Sequence, residues 1–253
     1  MRGRVAAALL TVAVCGCGGG DGDGDGPGRP RLTVSAAQSL QAAFENYGER
    51  FEAADARFSF AGSDALAAQL RQGVKPDVYA AANTQLPLQL YDEGLVDRPV
   101  VFASNRLVLA VPAGSGIDGL SDLARDGTAL VIGAETVPAG AYTRELLGRL
   151  PAQRRRAILA NVRSAEPDVS GVVGKLTQGA ADAGFLYVTD VLPVRDRVRA
   201  IDLPARLQPR VEYAAAVVRE AGQPDAAQAF VDGLLAGAGS AALADAGFLP
   251  APR

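Results

Sequence analysis

Short apolar runs alternate along the chain with segments whose apolar residues recur every three or four positions. The runs have the length of β-strands, and the periodic segments are typical of amphipathic α-helices. We predict strands from Leu32 and at 57–61, 77–81, 105–111, 129–133, 183–187 and 211–218. We predict helices at 40–54, 65–71, 84–93, 122–125, 142–150 and 224–235, after Pro151 and Ser170, and in the C-terminal tail.

This alternation predicts an α/β fold with mostly parallel sheets. Two long predicted strands, at 105–111 and 211–218, bracket a central block of the chain. We therefore expect two lobes, with the chain passing between them at these strands. The 253 residues are enough for two lobes, each within the usual size range of a domain.

The composition excludes several kinds of chemistry. The chain has no histidine and no tryptophan. Without histidine there can be no Ser-His-Asp triad and no histidine-ligated zinc, and the commonest general base is missing. A net charge of −3 provides no basic surface field for nucleic acid.

Residues 1–16 have the pattern of a signal peptide. Arg2 and Arg4 precede an apolar run at 5–14 that is too short to span a bilayer. The Val-Cys-Gly-Cys sequence that follows resembles a bacterial lipobox, which predicts cleavage before Cys17 and a lipid on its sulfur. An ordinary signal peptide and a misplaced start codon remain the alternatives.

A segment rich in glycine and aspartate follows the predicted cleavage site. Residues 17–30 contain no large apolar side chain that could be buried, so we expect a flexible tether. The aspartates lack the later glutamate of a calcium-binding loop, and we expect no metal site among them.

Four positions lie at or next to a predicted helix start: Ser39, Ser63, Ala139 and Val169. The first N–H groups of a helix have no intrahelical partner, and the helix dipole leaves about half a positive charge there. Helix starts at the carboxyl edge of a sheet can therefore bind an anion. The spacing alone leaves open that Ser39 and Ser63 are ordinary N-caps.

Two other patterns are not assigned a function. Residues 114–119 form a literal Gly-x-Gly-x-x-Gly, but the third glycine precedes the predicted helix, and Glu135 lies in a loop instead of at a strand end. We predict a surface loop at 114–119. The arginine triplet 154–156 is predicted to be a solvated helix face.

Six short motifs occur in a characteristic order: AAQSL at 36–40, FAGS at 60–63, GVKPDVYAA at 73–81, VPAG at 137–140, DV at 168–169 and GFLY at 184–187. In this order they resemble the periplasmic molybdate-binding proteins of ABC importers, the ModA family. The likeness extends from about Leu32 to the C-terminus.

The resemblance implies a type II periplasmic binding fold with a ligand cleft between two lobes. Lobe 1 is expected at 31–111 and 213–253, and lobe 2 at 112–212. In the family, two serines, backbone amides and one tyrosine hold the oxyanion. By motif these are Ser39, Ser63, Ala139, Val169 and Tyr187.

The implied protein is an extracytoplasmic, monomeric lipoprotein, anchored to the cell membrane by its lipid, without catalytic residues, cofactor or metal ligands. It would close on molybdate or tungstate and deliver the anion to the membrane subunits of an ABC importer. The alternatives are a receptor of the same fold for sulfate or another small anion, one for an organic acid or sugar, and an extracytoplasmic enzyme that uses Asp64.

Two residues depart from the family pattern. Gln38 stands where the family usually has a small residue, and Asp64 adds a negative charge directly after Ser63. An acid in the first turn of a helix also suits the helix dipole, so Asp64 can point away from the anion.

Overall fold

A computed structural model describes residues 29–252. The predicted signal peptide, Cys17 and all but the last two residues of the predicted tether lie outside the described residues. Arg29, at the end of that segment, pairs with Asp55 at 2.9 Å, and the Pro30 carbonyl accepts a hydrogen bond from Asp55 N at 2.8 Å. The first two described residues are therefore bonded to the folded part of the chain at Asp55.

The described chain forms eleven strands, nine α-helices and four 3₁₀ turns. The strands are β1 (Arg31–Ala37), β2 (Asp55–Ala61), β3 (Val78–Ala81), β4 (Val100–Asn105), β5 (Leu107–Pro112), β6 (Leu130–Gly133), β7 (Val162–Glu166), β8 (Ala183–Tyr187), β9 (Val198–Asp202), β10 (Val211–Val217) and β11 (Leu249–Pro250).

The helices are α1 (Gln41–Arg50), α2 (Ser63–Arg71), α3 (Gln85–Asp92), α4 (Pro138–Gly148), α5 (Ala152–Ala160), α6 (Val169–Thr177), α7 (Val188–Val191), α8 (Pro224–Leu235) and α9 (Ala238–Asp245). The 3₁₀ turns are Gln38–Leu40, Asp122–Ala124, Leu192–Val194 and Ala205–Leu207.

The strands form two sheets, in the orders β11-β4-β10-β3-β1-β2 and β7-β6-β8-β5-β9. Parallel pairing joins β1 to β2 and β3, and joins β6 to β7 and β8. β10 and β5 run antiparallel to their neighbours. The predicted α/β fold is confirmed, but both sheets are mixed, because β5, β10 and the short β11 run antiparallel to the strands they pair with.

The crossing between lobes comes earlier than the expected boundary at 111. β5 pairs with β8 and β9 and so belongs to the second sheet. Its first five residues are buried, which gives a continuous apolar run that fits the core of either lobe. We therefore define lobe 1 as 29–105 and 211–252, and lobe 2 as 106–210.

The two crossing segments contact each other. Gln208, which precedes β10, donates from Nε2 to the Leu107 carbonyl at 2.8 Å at the start of β5. This hydrogen bond joins the outgoing and the returning chain where both pass between the lobes.

The observed helices also differ from the predicted ones in where they begin and end. α1 ends at Arg50, before the predicted end at 54, and α4 begins at Pro138, four residues before the predicted start at 142. The earlier start places Ala139 inside the first turn of α4. Residues 114–119 form the predicted loop and lead into a three-residue 3₁₀ turn, so no long helix begins there.

Aromatic side chains fill the core of lobe 1 and fix α1 and α8 against the first sheet. The Phe230 ring on α8 lies 4.5 Å from Tyr47 and 5.5 Å from Phe44, centroid to centroid. In lobe 2, the fully buried Phe185 and Leu109 pack in the second sheet. These cores hold the loops at the carboxyl ends of the strands in fixed positions.

No single helix in the described part of the chain is long and apolar enough to cross a membrane. The pair α8 and α9, which is bent by 50°, meets that criterion only when the two helices are taken together.

Candidate functional site

A small cavity lies between the lobes, beside the starts of several helices. Its volume is about 20 Å³, slightly more than the roughly 10–15 Å³ that admits one water molecule. Pockets for drug-sized organic ligands have roughly 300–1,000 Å³, so the cavity has the size for a small ion. It is lined by Ala37, Gln38, Ser39, Ala61, Gly62, Ser63, Ala82, Val137, Pro138, Ala139, Asp168, Val169 and Tyr187.

All five predicted site residues line this cavity. Lobe 1 contributes Ser39, in the 3₁₀ turn after β1, and Ser63, the first residue of α2. Lobe 2 contributes Ala139, the second residue of α4, Val169, the first residue of α6, and Tyr187, the last residue of β8. The fold therefore brings together residues that are up to 148 positions apart in sequence.

The hydroxyl of Ser63 is held so that it can donate into the cavity. Ser63 is 1% exposed, and its Oγ accepts a hydrogen bond from Ala82 N at 3.1 Å. Because that bond uses an acceptor position, the hydroxyl proton is left for another partner. Tyr79 Oη donates to the Ser63 carbonyl at 2.8 Å and holds the backbone at the start of α2.

The hydroxyl of Ser39 is hydrogen-bonded to a tyrosine side chain instead of a backbone amide. Its Oγ lies 3.1 Å from Tyr213 Oη, and either atom can be the donor. Tyr213 lies on β10 and is fully buried. A ligand that only accepts hydrogen bonds would take the proton of Ser39, and Tyr213 would then be the donor to Ser39.

Ala139 and Val169 bring backbone N–H groups to the cavity. Both lie in the first turn of a helix, where N–H groups have no intrahelical acceptor. Pro138 occupies the first turn of α4, where its ring fits the helix. Asp168 caps α6, and its Oδ1 accepts from Gly171 N at 3.1 Å.

The hydroxyl of Tyr187 is the most informative atom in the site. Tyr187 is 1% exposed, and its Oη has no hydrogen-bond partner among the described residues. Burial raises the pKa of Tyr187 well above its usual value, and the neighbouring Tyr213, Tyr142 and Asp190 raise it further. The phenol therefore stays protonated and is available as a donor to a group in the cavity.

The cavity wall is almost free of charge. No lysine or arginine of the described chain lines it, and the one acid in the lining is Asp168. That carboxylate accepts hydrogen bonds from Gly171 N and, at 2.6 Å, from Ser170 Oγ. Neutral donors therefore dominate the site.

The two departures from the family pattern have different positions. Gln38 lines the cavity, and its Nε2 donates to Gln41 Oε1 at 2.6 Å. Asp64 is not in the lining, and its Oδ1 would lie 2.9 Å from a Cβ at Gly62. The Asp64 carboxylate packs beside Gly62, which lines the cavity, and its buried Oδ1 has no hydrogen-bond partner among the described residues.

Comparison with known proteins agrees with this geometry. The family model of bacterial extracellular solute-binding proteins matches residues 32–249. The molybdate-binding protein ModA of Mycobacterium tuberculosis H37Rv is 37% identical over 224 residues, which cover 86% of this chain and 84% of that protein. The chain belongs to the ModA family. The predicted resemblance is thereby confirmed.

Two solved structures resemble this chain in fold. The substrate-binding domain of a putative molybdenum ABC transporter from Clostridium difficile is 26% identical to this ModA-family chain, with a TM-score of 0.67, covering 88% of this chain and 99% of that one. The periplasmic molybdate-binding protein of Azotobacter vinelandii has a TM-score of 0.77 at 19% identity, covering 88% and 100% of the two chains. The latter likeness confirms the two-lobed fold of periplasmic binding proteins.

Sequence patterns did not find the residues behind the cavity wall. Tyr213, which contacts Ser39, lies within an ordinary buried strand, and Asn105 lies at the end of β4. Neither carries a local motif, because their role comes from packing between distant parts of the chain.

Proposed function

We propose that this ModA-family protein captures molybdate or tungstate between its lobes and delivers the anion to an ABC importer. The observation that carries the proposal is the buried hydroxyl of Tyr187, which has no hydrogen-bond partner in the described chain and faces a small cavity lined mainly by neutral groups. The similarity to the molybdate-binding protein of M. tuberculosis supports the same ligand.

The proposed ligand set is Ser39, Ser63, Ala139, Val169 and Tyr187. The two hydroxyls of lobe 1 and the donors of lobe 2 can contact one anion together only when the lobes are closed. A ligand with higher affinity for that state shifts the population towards closure. Each hydrogen bond to a charged group contributes about 1.5–3 kcal/mol, so a few such bonds can offset part of the cost of removing water from the anion.

Neutral donors also select among anions. A protonated anion such as hydrogen phosphate brings a proton that would face another donor and leave one hydrogen bond unmade. Sulfate is fully ionised and can be excluded only by size. Molybdate and tungstate are nearly equal in size, so weak discrimination between these two is expected.

Calorimetric titration of the purified protein tests the ligand. Molybdate is expected to bind one to one and more tightly than sulfate, with no measurable binding of phosphate. Binding of sulfate alone would overturn the molybdate proposal and favour a sulfate receptor. A Ser39→Ala, Ser63→Ala double variant that binds molybdate as tightly as the original would overturn the proposed ligand set.

We also propose that Cys17 carries a lipid that anchors the protein on the outer side of the cytoplasmic membrane, with 17–28 as the tether, and that the protein is a monomer. The lipobox-like Val-Cys-Gly-Cys sequence supports the anchor. The Cys17→Ser variant is expected to move from the membrane fraction to the soluble fraction, and an unchanged membrane fraction would contradict the anchor.

A further inference from the structure

The hydroxyl of Ser39 can serve an anion only if its proton turns into the cavity. A serine hydroxyl rotates freely unless a neighbour fixes it, since it can both donate and accept. The neighbour here is Tyr213, whose Oη lies 3.1 Å from Ser39 Oγ. The direction of this one hydrogen bond therefore decides whether Ser39 is a donor or an acceptor towards the ligand.

The side chain of Asn105 is fixed next to this pair. Its Oδ1 accepts a hydrogen bond from Arg106 N at 2.8 Å, and its Nδ2 donates to Thr189 Oγ1 at 2.9 Å. The first of these bonds determines which end of the amide is oxygen. Asn105 is 6% exposed and Thr189 is 7% exposed, so this network lies in the protein interior.

Asn105 lies beside Tyr213 on the same face of the first sheet, because its strand partner is Val211, two residues before Tyr213. Burial is the largest influence on the pKa of Tyr213 and raises it well above its usual value, the charge of Asp190 raises it further, and hydrogen bonding with Ser39 and Asn105 lowers it. The phenol therefore keeps its proton. The Asn105 amide nitrogen carries two hydrogens, of which one is used by Thr189 Oγ1, so the second can donate to the phenol oxygen.

We propose that Tyr213 is a positioning residue for the oxyanion site, oriented by Asn105. The Asn105 amide donates to the phenol oxygen, the phenol donates to Ser39 Oγ, and the Ser39 proton points into the cavity. This inference rests on the proposed function and adds to it two residues that do not line the cavity.

The same network joins the lobes. Asn105 is the last residue of β4 in lobe 1, next to the crossing into β5, and Thr189 lies on α7 in lobe 2. The hydrogen bond between them therefore spans the hinge and depends on how the lobes are arranged. The direction of the Ser39 hydroxyl is thus linked to the same lobe arrangement that forms the cavity.

The test is the molybdate affinity of the Tyr213→Phe variant, measured by calorimetry. Phenylalanine keeps the ring, which packs 5.1 Å from Phe248 and 5.8 Å from Tyr187. Loss of the hydrogen bond that orients the Ser39 hydroxyl is expected to raise the Kd by about three- to tenfold. The control is Tyr47→Phe, which removes a buried hydroxyl bonded to the Phe230 carbonyl in the core of lobe 1 and should leave the Kd unchanged.

A double-variant cycle separates positioning from general damage. If Tyr213 acts through Ser39, the substitution Tyr213→Phe has no further effect on the Kd in a Ser39→Ala background. An equal loss of molybdate affinity with Ser39 present and in the Ser39→Ala background, or no loss in either, would overturn the inference. Absence of molybdate binding by the unsubstituted protein would instead refute the proposed function, so the two failures are distinguishable.

A second variant reverses the network and keeps the test valid if Tyr213→Phe does not fold. Asn105→Asp preserves the acceptor for Arg106 N but replaces the amide donor by an acceptor, so the phenol would donate to residue 105 and draw the Ser39 proton away from the cavity. The Kd is expected to rise, and the rise should shrink in the Ser39→Ala background. A rise of the same size in both backgrounds would indicate simple charge repulsion and contradict the inference.

Discussion

Gly62 and Pro167 meet across the boundary between the two lobes. A Cβ at Gly62 would lie 2.4 Å from the Pro167 carbonyl oxygen and 3.3 Å from Val137 Cγ1. Gly62 precedes α2 in lobe 1, whereas Pro167 lies between β7 and α6 in lobe 2. The requirement for glycine here is one of space, because its φ of −59° suits any residue.

The substitution Gly62→Ala is therefore expected to hinder lobe closure. The methyl group would overlap backbone atoms that cannot move aside as a flexible side chain could, and overpacking of this kind costs about 1–3 kcal/mol. We expect the Kd for molybdate to rise by roughly 5- to 150-fold. Calorimetry measures the loss of affinity. Small-angle scattering with saturating ligand should show a more open molecule than the original protein.

The control for Gly62→Ala is Gly114→Ala. A Cβ at Gly114 would meet no atom within 4 Å, and the loop lies away from the cavity. Its affinity should equal that of the original protein. An unchanged Kd for Gly62→Ala would contradict the idea that this contact forms in the ligand-bound state.

The substitution Tyr187→Phe is expected to change stability and affinity in opposite directions. The Tyr187 hydroxyl has no partner among the described residues, and an unpaired buried hydroxyl costs about 1–3 kcal/mol by mutational data. Its removal should raise the melting temperature of the ligand-free protein. Molybdate binding should weaken by at least about tenfold, since a hydrogen bond to a charged group is lost.

A matched variant distinguishes this effect from the loss of any buried phenol. Tyr79→Phe removes a hydroxyl that donates to the Ser63 carbonyl at 2.8 Å. That variant should lose stability, because a buried hydrogen bond is lost. If Tyr187→Phe also lowered the melting temperature, its hydroxyl would have a structural partner and would not be reserved for a ligand.

The alternation of strands and helices was enough to predict the fold class, since it follows directly from which residues can be buried. Helix α8 was predicted with its observed bounds because Pro224 starts it and the apolar period continues to Leu235. The strands β4, β7, β9 and β11 were missed. The residues of β7 alternate between half-buried and exposed, and β9 has one buried residue, Val198, at its start. The apolar signal of both strands is therefore weak.

The site was predictable to the extent that its residues lie in local motifs. Ser39, Ser63, Ala139 and Val169 lie at or next to helix starts, and Tyr187 ends the GFLY motif of the family resemblance; the structure brings these five to one cavity. Their role in binding stays a prediction. The supporting contacts could not be predicted, because Tyr213 and Asn105 reach the site through strand order and packing, which leave no local trace.

The carboxyl group of Asp190 predicts a pH dependence of stability. Burial raises its pKa from 3.8 to about 7, while a hydrogen bond from Tyr187 N lowers it and the charge of Asp168 raises it. Between pH about 4 and 7 the folded state therefore holds a proton that the unfolded state has released. Stability must fall as the pH rises through this window.

The Asp190→Asn variant tests this expectation. The amide stays neutral and its oxygen can still accept from Tyr187 N. The variant should be more stable than the original protein at pH 8, and the difference should shrink towards pH 5 in thermal unfolding. Asp92→Asn, at an exposed position of α3, is the control, and a pH-independent difference for Asp190→Asn would refute the assignment.

Gly140 provides the last prediction, because it fixes the start of α4 against β6. A Cβ there would lie 1.8 Å from the Ala134 carbonyl oxygen and 2.4 Å from that of Gly133. Gly140→Ala must therefore move the first turn of α4 away from the strand, and with it the N–H group of Ala139. We expect a stability loss of at least about 1–3 kcal/mol.

The affinity of the Gly140→Ala variant for molybdate should also fall, by at least about tenfold, because one hydrogen bond to a charged group is lost. Gly148→Ala, at the other end of the same helix, is the matched control. A Cβ there meets no atom within 4 Å, so that variant should be neutral or more stable by about 0.5–1 kcal/mol. If Gly140→Ala lost stability but kept its Kd at a temperature where it is folded, the first turn of α4 would not belong to the binding site.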